Sequence, residues 1–352
     1  MSTSPTQSPA QSPAQSPSRA ARTGAPTWLY PGLLVALGTL SWIAMNVGPG
    51  DLSDAELRPT LLSLRGYRLI AAFLVGSALA VGGVAVQGLF RNPLASPSIL
   101  GTTAGANLGG QLSILAYQSM LGAGAAVTLV PQVLLPIGCL LGALLALGIL
   151  LLVTRRNDDL VVVLLTGFIL SALFLAMGNF AMSMAQDTWE LGRAMVSFVL
   201  GGLGGTGVDA IVMALPLIVA GLGAVWLWGR PLDVMLSGED EASALGVDVP
   251  AVRLWTILWT AVLTGAAVSL GGNIGFVGLI VPHGMRTLVG AAHRGLVPAA
   301  ALGGGVFVVM CDVIARVIPS QSEVPLGVVT GLLGAPLFLY LLLRSWREVQ
   351  RG

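Results

Sequence analysis

The sequence contains no lysine, and all 17 of its basic residues are arginine. A chain without lysine cannot hold the phosphate-binding loop G-x-x-x-x-G-K-[ST], and it cannot form the lysine Schiff base that several enzyme classes use. Any ATP that drives this protein must therefore be bound by another polypeptide. We predict that the chain is not an enzyme and has no ATPase site of its own.

Charged side chains and metal-ligating side chains are scarce as well. Charged residues make up 9% of the chain, whereas an ordinary soluble domain carries about 25%. Hydrophobic residues reach 55% and the mean hydropathy is +0.86, so an integral membrane protein is predicted. Cys139 and Cys311 lie in apolar runs, which favours small packing residues over a disulfide or a metal pair. No metal site, cofactor or catalytic residue is predicted.

Ten apolar segments approach the length needed to cross a bilayer, whose core of about 30 Å takes about 20 helical residues. The predicted fold class is therefore all-α, with ten transmembrane helices. These spans are 28–47, 69–90, 99–120, 127–153, 161–184, 208–229, 251–270, 275–292, 296–317 and 325–343. The stretch 191–205 is apolar but short and rich in glycine, so we predict an extracytoplasmic or re-entrant helix there.

The amino-terminal segment differs in composition from the rest of the chain. Residues 1–27 are dominated by Ser, Pro, Gln, Thr and Ala and contain the repeat QSPAQSPAQSPS. Such a segment cannot offset the entropy cost of ordering by burying apolar surface, so a disordered cytoplasmic tail is predicted. The first span lacks the cleavage site of a secretory signal and is expected to be retained. The membrane domain is predicted over 28–345, with a cytoplasmic end at 346–352.

The arginines predict the orientation of the chain. An even number of spans places both termini on one side, and Arg19 and Arg22 before the first span favour a cytoplasmic amino terminus. In that orientation twelve arginines lie at the inner face and five at the outer face, out of 17 in all. The excess of inner positive charge satisfies the positive-inside rule. The five outer residues are Arg58, Arg65, Arg68, Arg193 and Arg316.

The stretch 68–109 contains a span, a break and the start of a second helix. Arg91-Asn92-Pro93 interrupts the apolar run, and Pro97 keeps the connection extended, because proline removes a backbone donor and disfavours helix in the residue before it. A second helix is predicted to begin near residue 99 and to carry Gly101, Gly105 and Gly109 on one face. Glycines at this spacing let another helix approach to backbone contact.

The residues of this break and of two later segments resemble sequence motifs of a known family. QGLFRNPLASPSILG at 87–101, GGNIGFVGLIVPHGMR at 271–286 and EVPLGVVTGLLGAP at 323–336 are similar to phrases of the FecCD family. That family comprises the permease subunits of ABC importers for ferric siderophores, haem and cobalamin. The resemblance runs from about residue 28 to residue 344.

The resemblance implies a function and a set of partners. It predicts a multi-pass permease of the cobalamin-importer type in the inner membrane of a bacterium. The permease would work as a dimer with an identical or homologous second permease and with separate ATP-binding cassette subunits. A substrate-binding protein would deliver a metal chelate, with a ferric siderophore as the expected cargo.

Three outer arginines are the predicted docking residues for that binding protein. Arg65 and Arg68 lie in LRGYRL and Arg316 lies in CDVIARV, where the family places arginines that form salt bridges with the binding protein. An arginine suits that role because its planar fork pairs with a carboxylate through two hydrogen bonds. The alternative is snorkelling of these side chains to the lipid headgroups. Tyr67 stands where the family has proline.

The inner segment 233–248, DVMLSGEDEASALGVD, is predicted to contain a short helix over 238–245. Ser237 and Asp240 have the spacing of a capping box, and Gly246 is a natural stop. A solvated connector is the alternative. The segment resembles the family's coupling helix, which fits a groove on the ATPase subunit. The resemblance assigns that role to Gly238, Glu239, Asp240, Glu241, Ala242, Leu245 and Gly246.

Other polar residues admit competing interpretations. Asn157 and Asp158 are gate candidates at the inner mouth by resemblance, although RRNDD also reads as a solvated turn. His283 is interpreted as a packing residue, and Arg286 requires a buried partner that the sequence does not identify. Asp312 is the one carboxylate deep enough for a proton- or sodium-coupled transporter, the chief alternative function. An ion pair with an arginine four residues later explains it more simply.

Overall fold

The computed structural model describes residues 26–122, 130–154, 160–185, 189–318 and 324–349, and the regular structure in these ranges is entirely helical. A 3-10 turn occupies Pro97–Leu100. In chain order the α-helices are α1 (Leu29–Asn46), α2 (Arg58–Leu89), α3 (Thr102–Gly122), α4 (Val130–Thr154), α5 (Leu160–Met184), α6 (Trp189–Leu200), α7 (Val208–Leu227), α8 (Gly229–Met235), α9 (Glu239–Ala244), α10 (Val249–Gly271), α11 (Val277–Val289), α12 (His293–Val317) and α13 (Leu326–Val349).

Each of the ten predicted spans coincides with one of these helices, and the predicted all-α membrane fold is confirmed. Within the described ranges, seven helices are long and apolar enough to cross a bilayer: α1, α2, α4, α5, α7, α10 and α12. The remaining spans correspond to α3, α11 and α13. Because α11 has 13 residues, it extends only about 20 Å at 1.5 Å per residue. The span predicted at 275–292 is thus a shorter helix that follows an irregular entry.

Helix α2 starts at Arg58 rather than at residue 69, where the apolar run begins. Pro59 occupies its first turn, where the missing N–H has no helical partner to lose. The helix then continues without a break through Tyr67, the position that is proline in the family. A proline there would remove one backbone hydrogen bond from the helix. The extra turns carry Arg65 and Arg68 on the same rigid element as the apolar span.

Glycines bring α2 into direct backbone contact with its neighbours. Gly76 lies against the carbonyl of Gly304 on α12, and Gly83 lies against the carbonyl of Gly278 on α11. A Cβ atom at either α2 position would overlap the facing backbone. This is the close packing by small residues that membrane helices use. Helix α2 therefore occupies the centre of the chain, between α10, α11 and α12.

The predicted glycine face of α3 is confirmed at two of its three positions. Gly105 lies against Gly142, and Gly109 lies against Gly138, so α3 and α4 pack backbone to backbone. Gly101 precedes the helix instead. It ends the 3-10 turn with φ +77°, a left-handed conformation that only glycine adopts without strain. Gly101 also lies against α5. The helix accordingly begins at Thr102 rather than near residue 99.

Helix α6 is the short helix expected in the stretch 191–205. Its 12 residues extend about 18 Å, too short for a crossing. Its end is joined to two other irregular segments by backbone hydrogen bonds: Gly202 N donates to Gly271 O at 2.9 Å, and Leu326 N donates to Gly201 O at 2.8 Å. The breaks after α6, after α10 and before α13 therefore meet at one place.

Candidate functional site

Four charged residues meet where α2 approaches the end of α12. Arg68 Nε donates to Asp312 Oδ1 at 2.8 Å. Arg316, one helical turn after Asp312, pairs with the other carboxylate oxygen. Arg65 lies one turn before Arg68, and we refer to these four residues as the outer cluster. The predicted ion pair between Asp312 and Arg316 is confirmed, and Arg68 is a second partner that the sequence did not identify.

The outer cluster also binds the end of α1. Arg65 donates to the carbonyls of Met45 and of residues 48–50 at 2.9–3.3 Å. Arg316 Nη1 donates to the carbonyl of Ala44 at 3.0 Å. The last carbonyls of a helix lack partners within the helix and carry the negative end of its dipole, so cations are favoured there. The arginines thereby tie α1, α2 and α12 together.

This geometry bears on the predicted docking role of the three arginines. Arg65 is 6% exposed, and the side chains of Arg68 and Arg316 are 11% and 1% exposed. They are not snorkelling groups, because their guanidinium groups are enclosed by protein rather than by headgroups. Their docking of a binding protein stays a prediction. Exposed charges nearby are Asp51, Asp54, Glu56 and Arg58.

On the opposite side of the folded molecule from the outer cluster, α8 and α9 occupy the predicted coupling segment. Helix α9 spans Glu239–Ala244, within the predicted range 238–245. The predicted capping box is wrong: Gly238 is the N-cap, with φ +137°, and the hydroxyl of Ser237 donates back to Val234 O. The predicted stop is confirmed, since Gly246 has φ +85°. A glycine in the left-handed region ends a helix at little cost.

The two faces of α9 differ sharply in exposure. Ala242 is completely buried, whereas Leu245 is 72% exposed. Leu245 follows the last helical residue and points away from the body of the chain, beside the exposed Asp240 and Glu241. A single exposed leucine is common on protein surfaces, so the contact of this segment with an ATPase stays a prediction. Glu239 is instead bound internally, because Arg253 Nη2 donates to both of its oxygens at 3.0 Å.

A histidine that belongs to none of the sequence motifs lies directly behind this segment. His293 is the first residue of α12 and is completely buried. Its Nδ1 is 2.6 Å from Asp233 Oδ1, and its backbone N–H donates to the same oxygen at 2.9 Å. Asp233 belongs to α8, so this contact joins the coupling segment to a long span. The position of a histidine at a helix start was the only local signal for it.

Arg286 lies beside the same pair. Its guanidinium is within electrostatic reach of Asp233, but no salt bridge joins these two residues. Its Nε and Nη2 make no hydrogen bond to any described residue. His283 is half-buried one turn earlier on α11. The predicted gate residues Asn157 and Asp158 lie outside the described residues.

A cavity of about 410 Å³ opens where α6 meets α7 and α10. Its polar lining comes from Gln132, Ser197, Thr206, Asp209 and Ser269. The irregular backbone after α6 and after α10 borders it. At membrane depth such backbone is tolerated where it is buried in protein or faces a cavity. The cavity therefore gives this part of the chain a polar surface that a solute could contact.

Known proteins share both the sequence and the fold of this chain. The FecCD transport family matches residues 33–344, which is most of the chain. The chain belongs to the FecCD transport family. The cobalamin import system permease protein BtuC of Halobacterium salinarum is 36% identical over 316 residues, covering 88% of this chain and 81% of that protein. The Fe(3+) dicitrate transport system permease protein FecD of Escherichia coli is 37% identical over 285 residues, covering 81% and 85%.

A solved structure has the same fold. It is described as an inward-facing conformation of a transporter of the metal-chelate ABC type, and it covers 90% of this chain and 98% of its own. The TM-score is 0.77 at 30% sequence identity. This FecCD-family chain is therefore a multi-pass permease, and α9 stands where the family resemblance expects the contact with an ATPase. Permeases of the family carry no ATPase site of their own, in agreement with the absence of lysine.

Proposed function

We propose that this FecCD-family permease imports a metal chelate of the ferric siderophore class across the inner membrane of a bacterium. ATP hydrolysis on separate subunits drives the import. The identities of the relatives support this proposal: one carries iron dicitrate and one carries cobalamin by name, and both cargoes are metal chelates. The scarcity of metal-ligating side chains fits a cargo whose metal is already enclosed by its own chelator.

The proposed assembly contains two permeases, identical or homologous, two ATP-binding cassette subunits and one substrate-binding protein. Both termini and α9 face the cytoplasm, and the outer cluster faces the binding protein. ATP-driven closure of the cassette subunits displaces α9, and the spans alternate between outward and inward openings. Each step requires only that a partner bind one conformation more tightly than the other.

One observation carries the assignment of α9 to the ATPase contact. Asp240, Glu241 and Leu245 are exposed on a short helix whose other side is anchored by buried Ala242. A helix with one fixed side and one free side transmits force from a bound partner into the spans. A solvated connector, the alternative interpretation of this segment, would not need the buried anchor.

The ion-coupled alternative requires an intramembrane carboxylate that is free to gain and lose a proton or to bind sodium. Asp312 was its candidate. Its two carboxylate oxygens are bound by Arg68 and Arg316, and the residue is 1% exposed. Both oxygens of this carboxylate are therefore occupied by arginine side chains and are not open to a transported ion. The geometry therefore supports ATP-driven transport rather than ion coupling.

The experiment is reconstitution of the permease with its cassette subunit and measurement of complex formation and stimulated ATP hydrolysis. The double variant Asp240→Arg with Leu245→Arg is expected to lose both, because it places positive charge on the exposed face of α9. Glu239 is left unchanged, since its replacement would also break the bond to Arg253. The matched control is Glu56→Arg with Leu57→Arg, an exposed acidic and leucine pair at the opposite end of the molecule.

Assembly with the cassette subunit should survive in the control. Loss of assembly in the control but not in the α9 variant would place the ATPase at the wrong end and contradict the proposal. Cargo is tested separately by uptake of a ferric hydroxamate, ferric citrate, haem and cobalamin with the cognate binding protein. Uptake of cobalamin without uptake of any iron chelate would overturn the ferric siderophore assignment while leaving the importer intact.

A further inference from the structure

The contact between Asp233 and His293 joins one carboxylate oxygen to the start of α12 at two points. Asp233 Oδ1 accepts from the backbone N–H of His293 at 2.9 Å and lies 2.6 Å from its ring Nδ1. A negative charge at a helix amino terminus is favoured by the helix dipole and by the free N–H groups of the first turn. The side chain therefore binds both the backbone and the ring of one residue.

The imidazole has no room to swing away from this position. A Cβ on Gly88 would overlap the ring at Nε2, so the ring packs against the backbone at the end of α2. A Cβ on Gly229 would lie 2.9 Å from the Cβ of His293, so α8 is equally close on the other side. Nε2 makes no hydrogen bond to any described residue. The imidazole ring is therefore fixed between α2 and α8, with its Nδ1 directed at Asp233 on α8.

The cytoplasmic end of α12 is held by two further helices. Tyr30 on α1 donates to Gly295 O at 3.4 Å, and Trp226 Nε1 on α7 donates to Arg294 O at 3.2 Å. The Arg294 guanidinium also lies over the Trp226 ring, 5.8 Å from its centroid. Three elements therefore meet at residues 293–295, and α8 is the one that leads directly into α9.

The far end of α12 carries two residues of the outer cluster. The helix extends over 25 residues, about 38 Å at 1.5 Å per residue, with Pro298 inside it. Asp312 and Arg316 lie in its last turns and bind α1 and α2. The single helix α12 thus contacts the coupling segment at its first residue and contributes to the outer cluster in its last turns.

We infer that His293 is a positioning residue of the transport cycle, which fastens α8 to α12 so that displacement of α9 moves the inner end of α12. This inference rests on the proposed function. The other charged bond of the segment joins Glu239, whose side chain is 29% exposed, to Arg253, whose side chain is 15% exposed. Asp233 is 31% exposed, much like Glu239, but its partner His293 is completely buried and its ring is enclosed between α2 and α8.

The test uses the complete assembly in proteoliposomes, with uptake of the transported chelate and ATP hydrolysis measured together. His293→Leu fills the same space but cannot donate to Asp233. His293→Asn places its amide nitrogen near the position of Nδ1 and keeps the donor. We expect His293→Leu to assemble and hydrolyse ATP while uptake per ATP falls about tenfold, as for a lost hydrogen bond to a charged group. His293→Asn should restore most of the wild-type ratio.

His283→Leu is the matched control, because it removes the protein's other histidine from α11 without touching the bond to α8. Its uptake per ATP should equal that of the wild type. A wild-type ratio in His293→Leu would overturn the inference. So would an equal loss in His293→Leu and His293→Asn with the assembly intact, because that result describes a general packing defect.

If His293→Leu does not assemble, Asp233→Asn applies the same test from α8. Its amide oxygen still accepts from the α12 backbone but carries no charge, so uptake per ATP should fall while assembly is kept. An unchanged ratio in this variant would refute the coupling role. Absence of ATP-dependent uptake in the wild type itself would instead disprove the proposed function, and the two failures are thus distinguishable.

Discussion

Asp312 and its arginines show how a few residues carry charge through an apolar chain. The carboxylate is bound by Arg68 and Arg316, and Arg65 and Arg316 are bound in turn by carbonyls at the end of α1. Each charge of this cluster has a partner, which is the condition under which buried charges are tolerated. The residues predicted to serve docking therefore serve the packing of the chain, whatever else they contact in the assembly.

Replacement of Asp312 tests this arrangement. Asp312→Asn is expected to lower the free energy of unfolding by about 3–5 kcal/mol, because two buried arginines lose their counter-charge. Thermal unfolding of the purified permease in detergent measures it. Asp240→Asn removes a carboxylate of similar size from an exposed site and should change stability by less than about 0.5 kcal/mol. An Asp312→Asn protein that is fully stable but has lost ion-driven uptake would revive the secondary-transporter alternative.

At the scale of single elements, α2 combines two kinds of segment. Its first turns are polar enough to extend beyond the apolar span and carry Arg65 and Arg68. Its later turns contain glycines at which neighbouring backbones touch it. The helix is thus a central post, and its sequence changes character at the point where packing replaces solvent contact.

A pair of glycine substitutions on α2 separates these two segments. Gly76→Ala should lower the free energy of unfolding by about 1–3 kcal/mol, because the new methyl group overlaps the carbonyl of Gly304. Gly66→Ala meets no atom within 4 Å and should stabilise the helix by about 0.5–1 kcal/mol. Unfolding midpoints of the two variants in the same detergent give the comparison. Equal effects of both substitutions would contradict the close contact between α2 and α12.

At the scale of the whole molecule, the chain has a charged cluster at each end and a continuous helix, α12, between them. The outer cluster joins α1, α2 and α12 through hydrogen bonds and ion pairs. The pair Asp233–His293 joins α8 to α12. The arginine distribution predicts the orientation of these ends relative to the membrane, and the proposed partners depend on that orientation.

Cysteine labelling tests that orientation directly. Both native cysteines, Cys139 and Cys311, are buried, so an impermeant maleimide should leave the wild-type protein unlabelled. Ser53→Cys, in the exposed loop before α2, should react in intact spheroplasts. Ser243→Cys, on the exposed face of α9, should react only after the membrane is permeabilised. The reverse pattern would invert the topology and would also move the ATPase contact away from α9.

The amino-acid sequence by itself determines much of this protein. The membrane class, the positions of the ten helices and the family follow from apolar runs and motifs of adjacent residues. Such local patterns can be recognised in the sequence without knowledge of the fold. The short helix at α9, its glycine stop and the glycine contacts of α3 are local in the same sense. Errors arose where the chain had local alternatives: the cap moved from Ser237 to Gly238, and α2 began at Arg58.

The charged pairs, by contrast, depend on which helices are neighbours in space. Arg68 and Asp312 are 244 residues apart in the sequence, and Asp233 and His293 are 60 residues apart. No periodicity or motif relates the members of such a pair, because their meeting is decided by helix packing. The same packing gives the three predicted docking arginines internal partners, namely Asp312 and carbonyl groups at the end of α1. It also places His293, which belongs to no sequence motif, in contact with Asp233 of the coupling segment.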